Sequence, residues 1–346
     1  MKNFLLKNRI RAVVILFLCA GLCLVGAEPN VFALSVDSET GVSSSPPKNL
    51  IKWVDFNIPL PALKQAYQYD VTAHEKGKNL NWIELLALTG AKYGGGWEAY
   101  KPQDMDKIAQ TMLEGRYDEL EQTMNSKSYR TLSEVYDAIL HEYVGPYAIE
   151  APDPEGSGRT VTVEQYGLKC FSPIAKGYSF SHSDDFGVPR SFGYSRPHLG
   201  NDLMSSIGTP VVAVESGVVE EAGWNRYGGW RIGIRSFDRK RYYYYAHLRK
   251  NHPFAAGLKR GDTVTAGDII GYVGMTGYST TENVNGMTVP HLHFGLQIIF
   301  DESQKDGSGE IWIDVYNLVN FLEQNTSAAV KDPSGKDFVR KYKMTA

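Results

Sequence analysis

Hydrophobic and polar positions alternate with a period of two between Pro290 and Phe300. Successive side chains of a strand point to opposite faces, so one face carries His291 and His293. The other face carries large apolar residues only: Leu292, Phe294, Leu296, Ile298 and Phe300. The pattern predicts a strand with one buried face and two imidazoles roughly 7 Å apart on the other. One imidazole could bind a metal while its neighbour transfers protons, although two surface histidines on an edge strand would give the same pattern.

The pattern of apolar positions changes along the chain. Residues 50–147 repeat them at intervals of three and four, which predicts helices. Residues 148–165 are rich in proline, glycine and acidic residues and predict a linker. Short β-runs separated by glycine turns fill 166–325, and a polar tail covers 326–346. We therefore predict an α+β multidomain protein, with a helical accessory domain (50–147) followed by a β-rich domain (166–325).

The amino terminus has the pattern of an export signal. Within residues 1–33, lysines and arginines precede an apolar run that is short for a membrane span and typical of a signal peptide. A retained membrane anchor is the alternative, and residues 34–49 predict a Ser/Pro-rich linker. Cleavage would leave Cys170 as the only cysteine, and hence no intrachain disulfide. The net charge of −3 argues against a nucleic-acid partner.

Two further segments of the β-rich half carry imidazoles. His198 and Asp202 lie four residues apart in a loop that enters a strand, and His247 lies in the strand-like run 241–248. Two histidines, one carboxylate and an open fourth position are a standard arrangement for catalytic zinc. Hydrolysis also needs groups that transfer protons, and the two remaining histidines would suffice. Spacing alone does not decide which histidines are ligands; a loop hydrogen bond between His198 and Asp202, or a buried structural role for His247, is the alternative.

These motifs, in this order, resemble the lysostaphin-type zinc endopeptidases of family M23. The supporting segments are 208–211 (GTPV), 217–219 (GVV), 222–224 (AGW), 227–229 (YGG), 261–271 (GDTVTAGDIIG) and 274–279 (GMTGYS). The resemblance covers about residues 167–302, and the combination is far more specific than His-X-X-X-Asp alone.

The resemblance implies that His198, Asp202 and His293 bind Zn²⁺, and that His247 and His291 act on the attacking water. It also implies an antiparallel β-sandwich and hydrolysis of peptide bonds in bacterial peptidoglycan. We expect a monomer that works in the cell wall or on the outer face of the cytoplasmic membrane. Tyr194 and Tyr245 are candidate substrate-binding residues.

Two other functions stay open on the sequence. One is a cell-envelope protein without catalysis, which uses the same groove to hold a partner or a wall strand. The other is a latent enzyme, in which the segment before His198 covers the metal and a polar side chain such as Asn201 takes the open position. We expect His182 to be a loop residue near the groove.

Overall fold

The computed structural model describes residues 51–333 and 335–345 of the chain. The predicted export signal (1–33) and the first predicted linker (34–49) lie outside the described residues. Within the described ranges, no helix combines the length and the apolar character needed to cross a membrane.

The amphipathic segments of the first half form five helices: α1 Leu60–Glu75, α2 Trp82–Lys92, α3 Pro102–Leu113, α4 Glu121–Met124 and α5 Lys127–Leu140. Two of them begin at side-chain caps. The Asn81 side chain accepts hydrogen bonds from the backbone N–H groups of Ile83 and Glu84, and Ser126 accepts one from Tyr129. These caps satisfy donors that the first turn of a helix leaves unpaired.

The second half is built of short antiparallel strands. They are β1 Val144–Pro152, β2 Thr160–Leu168, β3 Pro189–Ser191, β4 Ser195–Pro197, β5 Asn201–Met204, β6 Pro210–Val212, β7 Gly217–Asn225, β8 Gly229–Ser236, β9 Arg241–Ala246, β10 Thr263–Val264, β11 Ile269–Tyr272, β12 His291–Ile298 and β13 Ile311–Ile313, followed by helix α6 Tyr316–Leu322 and strands β14 Ala329–Lys331, β15 Phe338–Arg340 and β16 Met344–Thr345. The largest sheet has the order β10-β7-β8-β9-β12-β13, with β5 also paired to β12. Helices followed by antiparallel sheets confirm the α+β class, and β12 confirms the predicted strand.

The structure differs from the sequence prediction at two places. The predicted linker 148–165 belongs to a β-hairpin, because β1 and β2 pair from Val144 opposite Leu168 to Pro152 opposite Thr160. Its proline, glycine and acidic residues are concentrated at the turn. The polar composition of 326–346 predicts a loosely held tail, but its described residues are paired: β14 pairs with β15, and β16 pairs with β1 and buries Met344. The described residues form one compact unit, so the division into separate domains stays a prediction.

Buried contacts join the helices to the sheets. Trp82 of α2 stacks on Phe321 of α6, with ring centroids 5.7 Å apart and planes 18° apart. The buried guanidinium of Arg241 pairs with Glu215 and donates a 2.7 Å hydrogen bond to the carbonyl of Ala138 in α5. The same hydrophobic cluster contains residues of both halves, so the sheet that carries the histidines rests on the helices.

Candidate metal centre

Three side chains meet at one end of β12. The Nε2 atom of His198 lies 3.0 Å from Oδ1 of Asp202 and 2.8 Å from Nδ1 of His293. His293 Nδ1 lies 3.1 Å from the same carboxylate oxygen. The three side chains are only 6%, 11% and 13% exposed, so little water reaches them. Three acceptor atoms that converge in a buried place are the arrangement expected around a single cation.

Strand pairing brings these residues together. His293 on β12 lies directly opposite Asp202 on β5, and His198 precedes β5 in the loop that enters it. The Nδ1–H of His198 donates to the carbonyl oxygen of Asp185 at 3.1 Å, which leaves its Nε2 free to accept. Gly200 permits the approach, because a Cβ atom there would lie 2.8 Å from the His293 ring and 2.6 Å from the carbonyl oxygen of Phe294.

His247 and His291 lie beside this cluster, with ring centroids 4.8 Å apart. The Nδ1–H of His247 donates to the carbonyl of Thr276 at 2.7 Å, and that of His291 donates to the carbonyl of Val289 at 2.8 Å. Each ring therefore keeps an unprotonated Nε2. The Nε2 of His291 is buried, has no hydrogen-bond partner among the described residues, and lies 3.7 Å from Oδ1 of Asp202.

The charge states of the cluster suit a metal. Burial lowers the pKa of His293 and, together with the neighbouring imidazoles, holds the pKa of His247 well below its ordinary value. Burial alone would raise the pKa of Asp202, but its close contacts with the His198 and His293 rings outweigh burial and lower that pKa far below the usual range. Neutral imidazoles and an ionised carboxylate are the forms that bind metals. Two imidazole nitrogens and one carboxylate oxygen fit Zn²⁺, and the unpaired Nε2 of His291 faces the same place.

A groove of about 750 Å³ runs past the cluster. Its lining includes His198, Asp202, His247 and His293, and aromatic side chains on both walls: Tyr194, Tyr227, Tyr242, Tyr244, Tyr278 and Trp312. A second cavity, of about 500 Å³, lies near Leu258 and Phe338 and contains no histidine. The candidate metal-binding residues and His247 therefore line the first groove and not the second cavity.

The structure brings all five predicted metal-binding and catalytic residues together, but only one of the two predicted substrate-binding tyrosines. Tyr194 is 56% exposed and lines the groove. Tyr245 is fully buried against Phe294, and its hydroxyl accepts a hydrogen bond from the backbone N–H of Val214. The prediction for Tyr245 is therefore wrong.

The backbone of His247 explains this outcome. Its φ of 59° ends the strand alternation, so that His247 faces the groove together with Tyr244.

The polar residues before β5 also have defined places. Asn201 points away from the cluster: its side-chain N–H groups donate to the carbonyl of Ser183 and to the Asp185 carboxylate, and its oxygen faces His182. It does not occupy an open metal position. Arg190 of β3 does reach the cluster, with Nη2 3.3 Å from Oδ2 of Asp202. Sequence reasoning missed Arg190, because nothing in its spacing marks it.

Comparison with known proteins agrees with this geometry. A sequence model of peptidase family M23 matches residues 196–306. The L-Ala–D-Glu endopeptidase of Bacillus subtilis is 44% identical over 124 residues, which are 36% of this chain and 36% of that protein. Lysostaphin of Staphylococcus simulans is 46% identical over 98 residues, which are 28% of this chain and 17% of lysostaphin. The match thus spans about a third or less of these relatives' length.

One solved structure extends the likeness beyond that region. The structure of lytM from Ruminococcus gnavus superposes with a TM-score of 0.50 over 77% of this chain and 88% of that chain, at 24% identity. At this identity the likeness concerns the fold. The sequence match over 196–306 includes all three residues of the cluster as well as His247 and His291. Residues 196–306, which contain all five clustered residues, are therefore the part of the chain that is similar to peptidase family M23.

Proposed function

We propose that the protein is a zinc-dependent endopeptidase that hydrolyses peptide bonds of bacterial peptidoglycan. The observation that carries the proposal is the buried triangle of His198, Asp202 and His293, with two further imidazoles beside it. The relatives support the substrate class, since one of them is named for the L-Ala–D-Glu bond. A binding protein without catalysis would have no need of the two imidazoles that remain after ligation.

His198, Asp202 and His293 would hold the zinc. Bound zinc would supply Lewis-acid polarisation of the scissile carbonyl and would acidify water. The backbone carbonyl of Asp185 keeps His198 in the tautomer that presents Nε2, and Asp202 supplies the negative charge.

His247 and His291 would transfer the protons that hydrolysis requires. Breaking a peptide bond with water needs one proton to leave the attacking water and one to reach the departing amine. Both rings hold their Nδ1 proton against a backbone carbonyl, so Nε2 is the atom that accepts a proton and later returns it. The unpaired Nε2 of His291 supports this role, because a buried acceptor without a partner is costly unless a substrate or water completes it.

The groove would bind an extended peptide along the sheet. Tyr244 and Trp312 line it on one side, and their rings lie 6.0 Å apart at 79°. Aromatic walls bind peptide chains with little loss of side-chain freedom. We further propose that the small β6–β11 sheet packs on the large sheet as a sandwich, because Val211 and Ile270 share a buried cluster with Ile232 of β8.

We also propose that the protein is exported and acts as a monomer in the cell wall or on the outer face of the cytoplasmic membrane. The pattern of residues 1–33 supports export, and the substrate lies outside the cytoplasm. Recovery of the protein in the wall fraction, with the amino terminus read by mass spectrometry, tests this point and distinguishes a cleaved signal from an anchor. Light scattering of the purified protein tests the monomer.

Latency stays a prediction. It would depend on Arg190, which reaches Asp202 from the segment before His198.

Digestion of defined muropeptides by the full chain tests the proposal. Product masses identify the bond, and inductively coupled plasma spectrometry measures the bound metal. We expect about one zinc per chain, hydrolysis that stops when a chelator removes it, and recovery when zinc is restored. Stoichiometric zinc without hydrolysis of any muropeptide would instead favour the envelope-binding alternative.

A further inference from the structure

Arg231 faces the groove two strands away from the metal centre. On the large sheet, His293 lies opposite Ala246 of β9, and Tyr245 lies opposite Ile232 of β8. The pair next to Tyr245 and Ile232 is Ala246 of β9 and Arg231 of β8. Arg231, Ala246 and His293 therefore lie in one row across the three strands. Paired strands are about 4.8 Å apart, so the Cα atoms of Arg231 and His293 are about 10 Å apart. The residue between them in this row is an alanine, so no long side chain of the row separates the guanidinium from the metal centre.

The guanidinium of Arg231 has unused donors. Its Nε is buried without a partner, and its one ionic contact is a long one, 3.5 Å from Nη2 to Glu221. Its side chain is 23% exposed, and it belongs to the lining of the groove. Among the described arginines whose side chains are buried or partly buried, Arg231 alone donates no hydrogen bond. A guanidinium has five N–H donors, and most buried donors in proteins are paired.

The other partly buried cations of the groove already have partners. Arg196 donates to the Tyr278 hydroxyl at 2.9 Å and lies over the ring of Tyr227. Lys305 pairs with Glu220 at 2.7 Å. Arg231 is therefore the partly buried cation in this groove with donors to offer. The ligand that matches a guanidinium fork is a carboxylate, which it can bind through two parallel hydrogen bonds.

We propose that Arg231 is a specificity-determining residue, which binds a free carboxylate of the peptide beside the scissile bond. The site then selects peptides with a carboxylate close to the cleaved amide over neutral peptides such as glycine chains. This inference rests on the proposed endopeptidase function. The exposed Nη atoms of Arg231 would bind the carboxylate, while Glu221 holds the guanidinium in place from the strand behind.

Two peptides that differ in one group test the inference. Both are L-Ala–D-Glu–L-Lys; in the first the α-carboxylate of D-Glu is free, and in the second it is the carboxamide. We expect kcat/KM of the full chain to favour the carboxylate by about tenfold or more, as charge-assisted hydrogen bonds are stronger than neutral ones. Arg231→Gln should bring that ratio to about one, with kcat/KM for the carboxamide kept within about threefold.

Control variants separate this role from a structural one. Arg231→Lys keeps the charge without the fork, so it should keep part of the preference. Arg130→Gln removes an exposed arginine of α5 and should leave the ratio unchanged. An unchanged ratio in Arg231→Gln would overturn the inference, as would an equal loss of kcat/KM on both peptides.

A binding measurement tests the role of Arg231 in carboxylate binding even when neither peptide is cleaved. Titration calorimetry compares the two peptides on His291→Ala and on His291→Ala/Arg231→Gln. A lower Kd for the carboxylate peptide on the first protein, lost on the second, supports the role of Arg231 while the hydrolytic proposal fails. Equal Kd values for the two peptides on His291→Ala overturn the inference.

Discussion

The helical part and the groove each bury a carboxylate, but the pKa values of the two carboxylates shift in opposite directions. Asp70 of α1 accepts a 2.6 Å hydrogen bond from the Tyr166 hydroxyl and a 3.0 Å one from the backbone N–H of Trp82. Burial still dominates there and raises the pKa of Asp70. Asp202 is buried too, but His198 and His293 outweigh the burial and lower its pKa.

The difference separates structural polar groups from functional ones. Each oxygen of Asp70 has one protein donor, so the site is complete. In the groove, one oxygen of Asp202 and two imidazole nitrogens face each other within about 3 Å, and the Nε2 of His291 has no partner. An excess of acceptors is stable only when something outside the chain, such as a cation and a water, completes it. Changes to the two sites should therefore have opposite effects on activity and stability.

The largest effect is expected from His293→Ala. Losing one of three protein ligands should reduce bound zinc well below one per chain and hydrolysis by about a thousandfold or more. Metal analysis and muropeptide digestion measure both. His141→Ala removes an exposed histidine after α5 and is the matched control, with full zinc and full activity expected. Full zinc in His293→Ala would refute the proposed ligand set.

His291→Ala should separate proton transfer from zinc binding. We expect kcat to fall by about 10²–10⁴-fold, the range for a general acid–base group, while the zinc content stays near one. The variant loses the Nδ1–H bond to the Val289 carbonyl together with an unpaired buried acceptor, so the unfolding free energy should fall by about 1 kcal/mol or less. Parallel denaturant titrations and metal analysis check these points. A large loss of stability would mean that His291 has a structural role.

Asp70→Ala should show the reverse. It leaves the Tyr166 hydroxyl and the Trp82 N–H without an acceptor, so we expect unfolding to become easier by about 1–3 kcal/mol. Below the unfolding transition, kcat/KM should stay within about threefold of the wild-type value, since Asp70 does not line the groove. Tyr166→Phe removes one of the two hydrogen bonds and should cost less. A selective loss of kcat/KM in folded Asp70→Ala would break the distinction between the two regions.

The smallest effect is expected at the amino-terminal cap of α2. Asn81→Ala removes the acceptor for two backbone N–H groups and should lower the unfolding free energy by about 1 kcal/mol. Asn81→Asp keeps an acceptor at the same place and should restore most of the loss. Denaturant titration measures both variants, and equal stability of Asn81→Ala and wild type would show that water replaces the cap without cost.

Most residues of the candidate site could be predicted from the sequence, but less of the fold could. Histidines and an aspartate in the M23 order, together with the glycine segments around them, indicated all five clustered residues. Tyr245 was misplaced because strand alternation cannot foresee the positive φ of His247. Arg190 and Arg231 could not be identified from the sequence, because their positions in the groove depend on how strands distant along the chain pair. The hairpin at 148–165 was missed because a composition rich in turn residues describes its tip and hides its paired flanks.

The stacking of Trp82 on Phe321 has a consequence for engineering. A fragment that starts at the first motif and stops after α6 would leave the face of Phe321 without Trp82 and without the edge of Tyr67, which lies 5.7 Å away. Such a fragment would expose aromatic surface and tend to aggregate. A chimera built from the β-rich half should therefore keep helices α1 and α2, which carry Tyr67 and Trp82.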